Sequence, residues 1–209
     1  VEVPQVTEQE LQRRIQHARQ MLRSGRRIEA ERELRAVIAM DPENVLARIV
    51  LVQCLHEQKK NREAIEEGKA LLGLAPDDVD AHVVYATALL VDDRNKEAQE
   101  IAEAATALEP DEASVWTLLC RVKLARGFYK EALEAVDRAL EVDPEDEDAL
   151  NLRAAVLVNL GRKDEAQARL GDAVRQNPES AMAHANLGWG ALHRREHKAA
   201  LEHFREALR

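Results

Sequence analysis

An all-α stack of paired helices, an α-α solenoid, is the fold class this sequence predicts, and three observations predict it. Five of its six prolines, Pro42, Pro76, Pro110, Pro144 and Pro178, recur every 34 residues without slippage, and a fixed period of this size marks a repeat architecture. The apolar content is Leu, Ala and Val, with only six aromatics (Tyr85, Trp116, Phe128, Tyr129, Trp189, Phe204); Ala and Leu, together with Glu, Arg and Lys, are the strong helix formers. Runs of β-branched residues bounded by turn signals, which would mark strands, are missing.

Placing each proline at position 32 of a unit divides the chain into five full units, 11–44, 45–78, 79–112, 113–146 and 147–180, and a near-complete sixth, 181–209. Residues 1–10 form a lead-in, in which Thr7-Glu-Gln-Glu10 reads as a capping box opening the first helix. The register passes a test at positions not used to set it. Position 20 is Ala30, Ala64, Ala98, Ala132, Ala166 and Ala200; position 8 is Ala18, Val52, Ala86, Cys120, Ala154 and Gly188; position 27 is Val37, Leu71, Ala105, Ala139, Ala173 and Ala207. Small side chains at these points let two helices approach to roughly 8–10 Å. Each unit is therefore expected to hold a helix A and a helix B.

The joins follow from turn chemistry. Proline cannot sit inside a helix but suits the first turn of the next one. The polar residue before it (Asp41, Glu109, Asp143, Asn177) is expected to end one helix and help start another. Inside each unit the A–B break falls near position 15. Gly25, Gly127 and Gly161 suit the left-handed conformation there, whereas Lys59, Asp93 and Arg195 predict less regular turns.

Composition excludes several functions. The net charge of −9 repels phosphate backbones and argues against nucleic-acid binding. No apolar run reaches the roughly 18 residues that a membrane helix needs. Cys54 and Cys120 are in no metal-ligand spacing and read as buried free thiols, which say little about compartment. The start, Val1-Glu-Val-Pro-Gln-Val6, lacks a signal peptide's regions and an initiator Met; a removed leader or an excised segment is expected. A cytoplasmic protein is the first expectation for location, and a soluble domain of a longer or membrane-anchored protein the other.

These residues resemble the tetratricopeptide repeat family, whose pattern has a large residue at 4, Leu at 7, Gly or Ala at 8, Tyr at 11, Ala at 20, Phe at 24, Ala at 27 and Pro at 32. Unit four (Trp116, Leu119, Cys120, Ala132, Ala139, Pro144) and unit six (Leu187, Gly188, Ala200, Phe204, Ala207) match well, and the resemblance covers 11–209 as a single domain. Departures are Lys123 at position 11, Gly68 and Ala102 at position 24, and His17 and Arg153 at position 7; units two and three are expected to pack loosely. The resemblance implies a right-handed superhelix. A stack of this kind needs a polar terminal cap, and the chain stops at position 29 of unit six, so continuation of the natural chain or docking against another copy is expected.

The resemblance also implies that positions 2, 5, 9, 12 and 13 of the A helices face a concave groove. The groove residues expected on that basis are Ile49, Gln53, Val83, Thr87, Leu90, Thr117, Arg121, Leu124, Asn151, Asn159 and Trp189. Position 12 either lines the groove or fills the core; Trp189 is either a binding anchor or packing at the end of the stack. An apolar strip of this kind suits an extended segment or an amphipathic helix of a partner protein. Some chaperone-binding members carry a two-carboxylate clamp with Lys at 5 and Asn at 9. No 5/9 pair here is Lys/Asn, so an acidic chaperone tail is not the expected ligand.

The expected function is therefore a non-catalytic protein–protein interaction scaffold, with a homo-oligomerising scaffold as the alternative and no cofactor or metal. One enzyme motif needs weighing. His193-Arg-Arg-Glu-His197 has the H-x-x-E-H spacing of a zinc hydrolase, with Glu196 as base, but it straddles the A–B turn, where its imidazoles would not share a helix face. A polar turn is the expectation. Asp143-Pro-Glu-Asp-Glu-Asp148 lacks the glycine and length of a calcium loop, and acid at a helix N-terminus is favourable in itself.

Overall fold

The computed structural model describes residues 7–162, 165, 174–175, 177–193 and 195–209. Among these residues it has eleven α-helices and no strand. They are α1 (Glu8–Arg23), α2 (Arg27–Met40), α3 (Val45–Glu57), α4 (Asn61–Leu74), α5 (Val79–Val91), α6 (Asn95–Leu108), α7 (Ala113–Ala125), α8 (Tyr129–Val142), α9 (Glu147–Asn159), α10 (Ala181–His193) and α11 (His197–Ala207). The chain forms two compact units, one ending at Leu108 and the other running from Glu109 to Arg209. In the first, α1–α2, α3–α4 and α5–α6 pair as hairpins, and each hairpin packs on the next through α2·α3, α4·α5 and the A helices α1·α3 and α3·α5. The second follows the same rule, with α7–α8 and α10–α11 as hairpins and α8·α9, α7·α9 and α9·α10 as the neighbour contacts.

The small-residue register does what the period predicts. Ala30, Ala64, Ala98, Ala132 and Ala200 are all buried, as are Ala18, Val52, Ala86, Cys120, Ala154 and Gly188. Ala166 and Ala173 lie outside the described residues. Around these crossings the first unit buries Ile15, Leu34, Val50, Leu51, Leu55, Leu71 and Leu89. The second buries Val115, Val122, Val136 and Leu157.

The prolines act differently from the expectation. Pro42, Pro76, Pro110, Pro144 and Pro178 sit in a turn between helices, not in the first turn of the next helix. In each turn the N–H two residues after the proline donates to the carbonyl of the residue before it: Asn44 to Asp41, Asp78 to Ala75, Glu112 to Glu109, Asp146 to Asp143 and Ser180 to Asn177, at 3.1–3.3 Å. Proline at the second position of such a turn has its φ already set. The next helix is capped two residues beyond the proline. Asn44, Asp78, Asp146 and Ser180 accept from Ala47, Ala81, Ala149 and Ala183 N–H through their side chains. Thr7 does the same for Glu10.

A second junction contact explains the proline's partner at position 4. Arg48 donates to the Pro42 carbonyl, Trp116 Nε1 to Pro110 at 2.7 Å, and His184 Nε2 lies 3.1 Å from the Pro178 oxygen. The proline carbonyl lies in the turn, outside any helical ladder, so a long side-chain donor one turn into the next helix satisfies it. Position 4 also pairs across the hairpin. Arg14 meets Glu33 at 2.5 Å and Arg48 meets Glu67 at 2.9 Å. At the same two positions of the last hairpin, His184 and His203 replace the ion pair, with their Nδ1 atoms 3.2 Å apart.

The A–B turns correct another expectation. Position 15 is left-handed in all six units: φ is 77° at Gly25, Gly127 and Gly161, and 60°, 58° and 64° at Lys59, Asp93 and Arg195. The turns without glycine are as regular as the others. Each closes with the same six-residue backbone bond, as in Lys60 N–H to Leu55 O at 2.9 Å and Arg26 N–H to Met21 O at 2.8 Å. These bonds hold the non-glycine residues in a conformation that costs them about 1–2 kcal/mol.

Loose packing at unit two is also overturned. A Cβ on Gly68 would stand 2.7 Å from Tyr85 Cδ2, and Tyr85 is buried. The phenol ring from the next unit fills the space that a phenylalanine at position 24 would take. Ala102 is fully buried as well.

Charge adds a pH-dependent contribution. Glu31, with its side chain 12% exposed, accepts from Lys60 at 2.7 Å, Gln58 at 2.8 Å and Arg35 at 3.0 Å. Burial alone would raise its pKa, but these donors outweigh it and hold the carboxyl at about 2. Burial, with the neighbouring His184, lowers His203 below its usual 6.5. Both folded values lie under the unfolded ones, so each contribution is whole above the unfolded value and is lost as pH falls through the folded one. Acidification is expected to weaken the α10–α11 hairpin first, below about pH 6.5, and the α2–α3 junction later, between about pH 4.5 and 2. Hydrogen exchange at successive pH values reads the order; simultaneous loss would refute it.

Candidate functional site

In each unit the A helices leave one stripe of side chains uncovered. On α7, α9 and α10 the exposed or half-buried residues include Ser114, Asp148 and Met182 at position 2, Arg121, Ala155 and Trp189 at position 9, and Leu124, Val158 and Leu192 at position 12. Equivalent positions on stacked helices share a face, so these form one surface on the second unit. Its apolar members are well exposed: Val158 42%, Trp189 57% and Leu192 38%. Residues that recur at a fixed helical position and still expose apolar area mark an interaction surface more strongly than scattered ones. The matching stripe of the first unit is more polar, with Arg23, Gln53, Glu57 and Asp80 beside Leu90 and Val91.

Position 5 departs from the expected groove. Ile49, Thr117 and Asn151 are buried, because successive A helices touch along this row. Thr117 Oγ1 lies 3.0 Å from the Ala113 carbonyl and 3.4 Å from Asp146 Oδ2 at the cap of α9. Asn151 donates to the Glu147 carbonyl at 2.6 Å and accepts from Asn186 of α10 at 2.9 Å. These polar groups tie one A helix to the next and have little surface left for a partner. Val83 is half-buried.

The other expected groove residues reach the surface. Gln53 and Asn159 are exposed, and Thr87, Leu90, Arg121 and Leu124 are half-buried. Thr87 spends its hydroxyl on the Val83 carbonyl at 2.7 Å, and Asn159 donates to Ala155. Arg121 is held by Asp148 at 2.5 Å. Position 12 thus does not fill the core: Leu90 and Leu124 are half-buried, and Val158 and Leu192 are exposed. Trp189 stacks an edge on Phe204, with ring centroids 5.5 Å apart, and keeps more than half its surface open. Val158, Leu192, Val91 and Met182 are exposed as well, at positions counted as groove-facing but outside the selected groove residues. Their recurrence at positions 12, 2 and 13 was the available signal.

At the N-terminal ends of α9 and α10 the same unit has a cavity of about 410 Å³, lined by Glu145, Glu147, Leu150, Asn151, Asn177, Ser180 and Ala183.

The remaining motifs resolve into structural roles. The left-handed turn at Arg195 separates His193, the last residue of α10, from Glu196 and His197 at the start of α11, so the two histidines belong to different helices. The His193 side chain lies outside the described residues. Among the described residues no three metal-ligating side chains converge. Asp143 caps the end of α8, and Asp146 caps the start of α9. Cys54 and Cys120 are buried free thiols, and burial pushes Cys120 up to about 12, out of reach of thiolate chemistry. No described helix is long and apolar enough to cross a membrane.

Residues 104–209 match a family described as the TPR domain of cytochrome c-type biogenesis protein H, and residues 15–79 and 55–121 match two tetratricopeptide repeat families. No curated protein sequence matches the chain. Among solved structures, the chain is similar to PilW, a type IV pilus biogenesis factor (19% identity, TM-score 0.81, 94% of this chain and 91% of that one). It is also similar to a thermophilic TPR protein of Thermus thermophilus (19%, 0.76, 92% and 99%). A third is YrrB, a TPR protein with an unusual peptide-binding site (23%, 0.57, 84% and 90%). At these identities the likeness is one of fold.

Proposed function

The chain belongs to the tetratricopeptide repeat family, over residues 104–209 to that of the cytochrome c-type biogenesis protein H TPR domain, and on that premise we propose that it binds a segment of a partner protein on the α7–α9–α10 face. Proteins of this fold serve in general as protein–protein interaction scaffolds. The observation that carries the assignment to this face is the row of half-buried Leu124 and exposed Val158 and Leu192 beside Trp189. Burying such a row releases roughly 25 cal/mol per Å² before ordering costs, which suits an extended segment or an amphipathic helix at about micromolar affinity. Arg121 and Asn159 flank the row and orient the segment's polar groups. Gln53, Thr87 and Leu90 form the equivalent, more polar surface of the first unit. The family matched by 104–209 supports a partner among proteins of cytochrome c-type biogenesis.

The test is capture from native lysate by wild type and by a Val158→Glu, Leu192→Glu variant. Both positions are exposed, so circular dichroism and melting should be unchanged. Recovery of specific partners should fall at least tenfold, since burying each apolar side chain is worth about 1.5–3 kcal/mol. Undiminished capture would remove this face from consideration. A particle mass that doubles with concentration in wild type alone would identify the partner as a second copy.

A further inference from the structure

We propose that α11 carries a second docking site, one that accepts an amphipathic helix of a partner protein whose apolar stripe is flanked by a carboxylate. The repeat shows which side of a B helix is built to be covered. At positions 21 and 28, Ile38 on α2, Ile65 and Leu72 on α4, and Leu133 and Leu140 on α8 are buried or half-buried. Each of these helices packs against the A helix that follows it. The same two positions on α11 are Leu201, 51% exposed, and Leu208, 88% exposed. Seven residues apart in the sequence, they lie on one stripe of the helix. Phe204, next to that stripe, is packed on α10, its Cε1 2.7 Å from where a Cβ on Gly188 would stand.

Charge selects the occupant. Lys198 and Arg205, three residues before Leu201 and four after it, form a row along the other side of the stripe. Both are exposed, and among the described residues neither makes an ion pair. Their neighbour Arg209 differs, being held by Glu206 at 2.9 Å. The α8–α9 junction shows what meets this row when a B helix is covered. Asp137, at position 25 of α8, bonds Arg153, at position 7 of α9, at 2.6 Å. Arg205 holds position 25 on α11, so the sign is reversed. A helix seated there as α9 sits on α8 would complete the pair with an acid at its own position 7.

The same chemistry disfavours a second copy of the chain. Position 7 of its own A helices is His17, Leu51, Tyr85, Leu119, Arg153 and Leu187, none of them an acid. Two α11 helices paired antiparallel along the stripe would set Lys198 and Arg205 against the same two cations, and like charges brought together reject a partner. The site therefore calls for a helix of another protein, shaped like α9 but with a glutamate or aspartate where α9 has Arg153.

The probe is a synthetic peptide of residues 146–160 with Arg153→Glu, blocked at both ends, and the natural 146–160 peptide is its control. In fluorescence anisotropy with the full chain, the substituted peptide should bind saturably and about fivefold or more tighter than the natural one. Arg205→Glu changes an exposed residue, so it should leave the melting curve unchanged while reversing that preference. Leu201→Gln with Leu208→Gln, also at exposed positions, should abolish binding of both peptides. No binding, equal affinity for the two peptides, a preference that Arg205→Glu leaves in place, or binding indifferent to the leucine changes would overturn the proposal. So would a particle mass that doubles with concentration as the peptide is expelled, which would give the face to a second copy. Exclusion of the peptide from a longer natural polypeptide would give the face to a segment of that polypeptide and overturn it too.

Discussion

Gly68→Leu is expected to destabilise the hairpin stack up to Leu108 by about 3 kcal/mol, near the upper end for forcing carbon into filled space. The first added atom alone would lie 2.7 Å from Tyr85 Cδ2 and 3.2 Å from Tyr85 Cβ. The near side of the ring is not a flexible end, and the ring is only 7% exposed, so it cannot swing aside. Leucine is a better helix former than glycine by roughly 0.8–1 kcal/mol, which makes the sign informative: propensity alone predicts a gain. Urea denaturation checks it. Adding Tyr85→Ala should restore much of the loss, because leucine then fills the emptied site. A Gly68→Leu protein that unfolds at the wild-type midpoint would refute the exchange of bulk between these two positions.

Leu157→Ala is expected to cost about 2–5 kcal/mol, the range for deleting a fully buried leucine. Leu157 is 0% exposed and packs with Ala154 and Leu187, with Leu133 and Val174 against the same cluster. It thereby links α9 to the hairpins on both sides. The damage should stay local, since stability in a stack is close to a sum of repeat and nearest-neighbour contributions. Hydrogen exchange should speed in α9 and α10 and remain unchanged in α1–α5. Uniform acceleration over the whole chain would show a single cooperative core instead.

The period and register are legible in the sequence because both come from steric rules that repeat: alanine where helices cross, proline where they turn. The features that stay hidden depend on a second residue elsewhere in the chain. Gly68 looks like a defect until Tyr85, one unit later, is placed against it. Arg48, Trp116 and His184 share position 4 without resembling one another, because what the site selects is a donor for the preceding proline's carbonyl. Lys59, Asp93 and Arg195 do not announce a left-handed backbone by type; the period does, since glycine occupies that place in the other units.

The candidate surface is legible to the same degree. Among the described residues, side chains at positions 9 and 12 are exposed or half-buried, with the exposed Gln53 at position 9 and Trp189 among them. Thr117 and Asn151 look like groove-lining polar groups, yet their hydrogen bonds run sideways into the neighbouring cap and helix. Side-chain polarity alone cannot separate a residue that meets solvent from one that bridges two helices. The cavity beside α9 and α10 is built from two turns and two helix starts, which no single stretch of the sequence shows.

Among the described residues of each unit, the helices touch only a hairpin mate or a helix of the neighbouring hairpin. Native contacts therefore join residues that are near in the chain, and little loop entropy is lost before a contact forms. Such a molecule has no need to wait for its final residues. As a unit leaves the ribosome, each of its hairpins can settle on the one already formed, so synthesis lays that unit down layer by layer from its N-terminal side.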